Sequence, residues 1–95
     1  KSNKDVVPNA FVLHSAFPNP FNPSTQISYY LSKETHVDIS VYDIAGRLTE
    51  TLVNDLKDRG SHAIIWNAFN QSSGVYFIKI TADDFSDAQK VILTK

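Results

Sequence analysis

Thr25-Gln26-Ile27-Ser28-Tyr29-Tyr30-Leu31 is the stretch on which the fold of this chain turns. Ile27, Tyr29 and Leu31 alternate with Gln26, Ser28 and Tyr30, the period-2 pattern of a half-buried antiparallel strand. Residues 36–44 repeat it, with Val37, Ile39 and Val41 inward and His36, Asp38, Ser40 and Tyr42 outward. Asp43-Ile44-Ala45-Gly46-Arg47 then reads as a hairpin connection in which Gly46 takes a positive φ that a β-carbon resists. Residues 47–53 return as a strand.

Outward from this centre the same logic continues. The polar stretch Asn54 to Gly60 predicts a connection. In the run from His62 to Trp66, His62, Ile64 and Trp66 share one face and Ala63 and Ile65 the other, so both faces are apolar. Asn67 to Gly74 is rich in turn formers, and Gly74 is a second position where the backbone demands glycine. Val75 to Thr81 is the most strand-like run and predicts a central strand. Asp83 and Asp84 turn the chain, and Phe85 to Leu93 forms the last strand. Upstream, residues 10–17 make an irregular first strand, which Pro18 to Pro23 must end because proline donates no ladder hydrogen bond.

No 3.6-residue period persists, so the chain is read as all-β: an immunoglobulin-like β-sandwich of about seven antiparallel strands. The expected core is Phe21, Ile27, Tyr29, Leu31, Val37, Ile39, Val41, Trp66, Tyr76, Ile78 and Ile80. The paired cysteines and strand-C tryptophan of antibody domains are missing in that arrangement, so the likeness to immunoglobulins is architectural.

Ninety-five residues with 42% hydrophobic and 12% aromatic content hold one packed core. We expect a single domain over residues 10–95, preceded by a polar linker over residues 1–9 from a preceding domain. The chain has no methionine and begins at Lys1, which reads as a piece of something longer. Nine basic against ten acidic residues, a net charge of −1, speak against nucleic acid or anionic lipid as partners. No apolar run is long enough for a membrane span. Without cysteine, stability must come from packing.

Candidate chemistry is sparse. His14, His36 and His62 lack metal-ligand spacing and read as ordinary histidines. Asp83, Asp84 and Asp87 lack the ligand alternation of a calcium loop and read as turn residues. Ser72 and Ser73 stand in no nucleophile elbow. No enzyme activity, metal or cofactor is expected. Tyr30 and Tyr42 are the candidate exposed aromatics, as sugar platforms or as cross-strand pairs within a sheet, the second being the more common use.

Phe17-Pro18-Asn19-Pro20-Phe21-Asn22-Pro23-Ser24-Thr25 closely resembles the Tyr-Pro-Asn-Pro-Phe-Asn-Pro-x-Thr opening of the type A C-terminal sorting domains of the type IX secretion system. The resemblance continues through Val41-Tyr42-Asp43-Ile44-Ala45-Gly46-Arg47, Gly60-Ser61-His62, Trp66-Asn67 and Ser73-Gly74-Val75-Tyr76-Phe77, and closes with Gln89-Lys90-Val91-Ile92-Leu93-Thr94-Lys95. It covers about residues 11 to 95. Phe17 replaces the commoner tyrosine, Ala68 stands where glycine is frequent, and the Trp66 to Gly74 loop is shorter than the longer family form.

The resemblance implies a domain fused to the C-terminus of a larger cargo protein, which passes through the periplasm and is read by the outer-membrane translocon. A cell-surface sortase-like peptidase commonly removes it, and the cargo is secreted or held at the cell surface. Pro18, Asn19, Pro20, Phe21, Asn22, Pro23, Lys90 and Lys95 are the candidate recognition residues, with Gly46, Trp66, Gly74 and Tyr76 as the structural motif. Proline presets φ, so the Pro18 to Pro23 segment is expected to hold a rigid, extended course. The same segment also reads as a corner between sheets, with Phe21 in the core. Two other readings stand beside sorting: a carbohydrate-binding accessory module, and a spacer-type module.

Overall fold

Each alternating run forms a strand in the computed structural model, which describes residues 11–95. The linker expected over residues 1–9 lies outside the described residues. The strands are β1 (Val12–Leu13), β2 (Ser24–Leu31), β3 (Thr35–Asp43), β4 (Leu48–Lys57), β5 (Gly60–Asn67), β6 (Gly74–Ala82) and β7 (Phe85–Leu93). They form two sheets, ordered β1-β2-β5 and β4-β3-β6-β7, and every ladder is antiparallel. No described residue is helical. In constant-type immunoglobulin domains the fourth strand joins the first, second and fifth; here β4 stays beside β3. β6 lies between β3 and β7, the central place its composition predicts.

The inward faces of β2, β3 and β6 meet between the sheets, and every residue expected in the core is buried. Ala16, Val53, Ala68, Ala82, Val91 and Leu93 complete it. At its centre Trp66 is fully buried, its ring 5.4 Å from that of Phe21 and 5.3 Å from that of Tyr76. The two polar handles of this cluster are satisfied: Trp66 Nε1 donates to Glu50 Oε1 at 3.2 Å and Tyr76 Oη donates to the Ser72 carbonyl at 2.7 Å. The second bond, from a strand-entry tyrosine to backbone just upstream, is that of a tyrosine corner.

Four expectations need correction. Of residues 11–17, all expected within the first strand, only Val12–Leu13 form a continuous strand, with an isolated bridge further on at Phe17. Between Leu13↔Tyr29 and Phe17↔Gln26 the chain spends one residue more than β2, so a bulge interrupts the ladder and Ala16 turns into the core. β4 does not end at residue 53 but runs to Lys57, leaving Asp58 and Arg59 as the connection to β5. Asn54 and Asp55 are exposed on an edge strand, where polar residues are common, so a polar run does not mark a strand end there. Ser40, expected outward, is buried; its hydroxyl donates to Asp38 Oδ1 at 2.7 Å and lies 3.4 Å from Thr51 Oγ1. Finally, the Pro18 to Pro23 segment is bent at Pro18–Pro20 and at Asn22–Pro23 instead of extended, since Phe21 must dip into the core between two exposed stretches.

Gly46 and Gly74 hold φ of +84° and +153°, and nothing lies within 4 Å of where a β-carbon would sit. Conformation, not space, calls for glycine at Gly46, which lies in the left-handed region.

Candidate functional site

Antiparallel pairing brings the distinctive motifs together. The start of β2, the ends of β3, β5 and β7, and the starts of β4 and β6 all lie at one end of the sandwich, as the pairs Ser24↔Asn67, Asp43↔Tyr76 and Gly74↔Leu93 require. Phe17 to Pro23, the Asp43–Arg47 turn, the loop after Trp66 and the last residues of the chain therefore share this end.

The proline segment lies along β7. Val91 and Leu93 pair with β6, so by the alternation of an antiparallel ladder Lys90, Ile92 and Thr94 turn their backbone groups to the opposite, outer edge. That edge is closed by residues near the other terminus. Asn19 Nδ2 donates to the Lys90 carbonyl at 3.1 Å, and Asn19 Oδ1 accepts from the Ile92 N–H at 3.0 Å. Two residues on, the Phe21 N–H donates to the Ile92 carbonyl at 2.9 Å and the Thr94 N–H donates to the Phe21 carbonyl at 3.0 Å, a parallel bridge between Phe21 and Leu93. Gln89 extends the seam: its Oε1 accepts from the Ala16 N–H and its Nε2 donates to the His14 carbonyl, both at 2.7 Å. Residues 14–21 thus run beside residues 89–94 through backbone groups and two side-chain amides, each of which carries the donor and acceptor of a peptide unit.

The segment is also tied to its own sheet. Thr25 Oγ1 donates to the Pro18 carbonyl at 2.7 Å, and the Ala68 N–H donates to the Pro23 carbonyl at 2.9 Å. Pro18, Asn19, Pro20, Asn22 and Pro23 are exposed, while Phe21 is only 2% exposed and its ring faces the core. Phe17 projects beside them at 79% exposure, and Phe69 at 67%. Alternation could not mark either ring, because both lie outside the regular strands.

Lys90 and Lys95 are both exposed but are not brought together. Lys90 lies beside Asn19, while the Lys95 N–H donates to Ser73 Oγ at 3.0 Å and its Nζ contacts the Phe69 carbonyl. Across the same end a shallow groove of about 340 Å³ runs between the Asp43–Arg47 turn and the loop through Ser72 and Ser73. Asp43 organises that turn. Its Oδ1 accepts from the N–H of Ala45 at 2.9 Å and of Arg47 at 3.0 Å, and its Oδ2 accepts from Arg47 Nε at 3.0 Å. The Arg47 N–H above all, opposed by desolvation and reinforced by the guanidinium and the Ala45 N–H, holds the Asp43 carboxyl below the usual aspartate range.

The remaining candidates are dispersed. His36 Nε2 meets Asn54 Oδ1 at 2.6 Å, and His62 stacks on Tyr29 at 5.3 Å with its Nε2 2.7 Å from the Asp58 carbonyl. Asp83 pairs with Lys33 at 3.1 Å, and Asp87 accepts from the Ala88 N–H. Among the described residues no three His, Cys, Asp or Glu side chains gather into a metal-binding group. Tyr30 and Tyr42 stand on different sheets, and Tyr42 faces Phe77 across the β3–β6 ladder. No described helix is long and apolar enough to cross a membrane.

Comparison with curated proteins gives no match. A family profile described as the secretion system C-terminal sorting domain matches residues 15–94, from just after β1 through the proline segment to Thr94. With most of its length covered, the chain belongs to this family of type IX secretion sorting signals, which send a larger cargo protein to the cell surface or exterior.

Proposed function

We propose that the secretion machinery reads the proline segment and the terminal strand as one composite surface, and not as two separate signals. The observation that carries this is the pairing of Asn19 and Phe21 with the outer edge of β7. The exposed residues Pro18, Asn19, Pro20, Asn22 and Pro23 and the side chain of Lys90 then form a continuous strip, with Lys95 at its far end. Phe21 contributes by fixing the strip to the core. The reader is the outer-membrane translocon, and a surface sortase-like peptidase acts on the delivered protein. On this reading the domain recognises and is recognised; it does not catalyse. Its family role as a sorting signal supports that.

The test is a fusion of residues 1–95 to the C-terminus of a periplasmic reporter, in a host with this secretion system. Reporter at the surface or in the medium is the expected result. Reporter retained in the periplasm, with the fused domain folded, overturns the reading.

A further inference from the structure

The four outer edges of the two sheets are treated differently. β7 is covered by the proline segment. β1 pairs over only two residues. β4 carries Glu50, Asp55 and Lys57 and two irregularities of register against β3, devices that discourage a further strand. β5 has none of these. Its eight residues pair with β2 without a register shift, and β1, β2 and β5 contain no Lys, Arg, Asp or Glu at all.

The register shows which groups this edge offers. Gln26 exchanges both backbone hydrogen bonds with Phe17, at 3.0 and 3.1 Å, so Thr25, Ile27 and Tyr29 must direct theirs to β5. Their partners Trp66, Ile64 and His62 are thereby satisfied. Ser61, Ala63 and Ile65 point the opposite way, and among the described residues no strand or backbone hydrogen bond meets them. Their side chains lie on the outer face of the sheet, where Ile65 is 55% exposed. An edge of alternating N–H and C=O groups is complemented by an extended backbone, and an uncharged flank by an uncharged strand.

We infer that β5 is a strand-addition site, at which an extended, uncharged segment of the secretion machinery pairs with Ser61, Ala63 and Ile65. This rests on the sorting reading and adds a second contact, on the sheet that does not carry the terminal strand. The engagement works through backbone groups, so it tolerates change of side chain and not loss of an N–H.

The experiment uses the reporter fusion with three single variants, each checked for folding by near-ultraviolet circular dichroism. Ile65→Pro removes an outward N–H and spares the β2 ladder, a place where strands accept proline. Ile65→Thr keeps that N–H. Leu56→Pro is the matched change on the β4 edge, where the Leu56 N–H turns to Asp55 Oδ1. Delivery should fall about tenfold for folded Ile65→Pro, as loss of a backbone pairing predicts, and stay native for the other two. Native delivery of folded Ile65→Pro overturns the inference and leaves the sorting reading intact; failure of the unmutated fusion overturns both.

Hydrogen exchange on the unmutated chain gives a test that needs no variant. The Ala63 and Ile65 amides should slow with outer membranes that carry the secretion system and not with membranes from a strain lacking it. Equal exchange in both overturns the inference. So does a chain that sediments as a dimer through this edge, or slow exchange in the free monomer, which would give the edge to a second copy or to the chain's own first residues.

Discussion

The carboxamide of Asn19 spans the Lys90 carbonyl and the Ile92 N–H, at 3.1 and 3.0 Å, and so fills the place of a peptide unit on the edge of the last strand. Removing it should detach the proline segment from β7 without touching the core. Asn19→Ala is expected to lower unfolding stability by about 1 to 2 kcal/mol, the net worth of two hydrogen bonds at a partly exposed site, read from the urea midpoint. The Ile92 amide should exchange faster in the same variant. An unchanged midpoint together with unchanged exchange would show that Phe21 and Gln89 hold the seam without Asn19.

Trp66 joins the two sheets through Phe21 and Tyr76, so its truncation leaves a void that neither ring can close without leaving its own contacts. Trp66→Ala should cost about 3 to 5 kcal/mol. Trp66→Phe keeps much of the packing and gives up the remainder of the indole together with its bond to Glu50, which is itself exposed, so its loss should be clearly smaller. Equal losses in thermal melts would mean that this remainder and its bond, not the packing that phenylalanine keeps, govern this site.

How much of this was legible in the sequence follows from which interactions are local. The faces of β2, β3 and β6 could be read because alternation reports burial directly, and Ile27, Ile39 and Ile78 are each fully buried as the period requires. Gly46 was legible because its turn is complete within five residues. The length of β4 was not, since on an edge Asn54 and Asp55 satisfy solvent and strand alike. Nor was the course of residues 14–21, whose bonding partners Gln89, Lys90 and Ile92 lie more than seventy residues away. Asn19 in a proline context reads locally as turn chemistry, and nothing near it names a strand partner.

Acid should loosen the Asp43–Arg47 turn. The folded-state pKa of Asp43 is depressed, so its contribution is present above the usual aspartate value and is lost as pH falls through the lower folded value. Melting temperature should therefore decline as pH drops below roughly 4, and Asp43→Asn should remove part of that decline. An identical pH profile for the variant would show that other carboxylates carry the acid sensitivity.

Lys90 and Lys95 provide the cleanest test of recognition through the terminal segment. They stand roughly 17 Å apart at the rise of an extended strand, one beside Asn19 and the other against the loop carrying Phe69. Deleting residues 90–95 would confound recognition with folding, because Val91 and Leu93 are core residues. Lys90→Ala with Lys95→Ala avoids this, since exposed substitutions usually move stability by about 0.5 kcal/mol or less. If the composite strip is read through its charges, the folded double variant is exported across the inner membrane, fails to reach the surface and accumulates in the periplasm. Undiminished delivery would exclude the lysines. Recognition would then fall to the uncharged part of the strip, where Pro18, Asn19, Pro20, Asn22 and Pro23 are the exposed candidates, and Asn19→Ala would be the variant expected to block delivery.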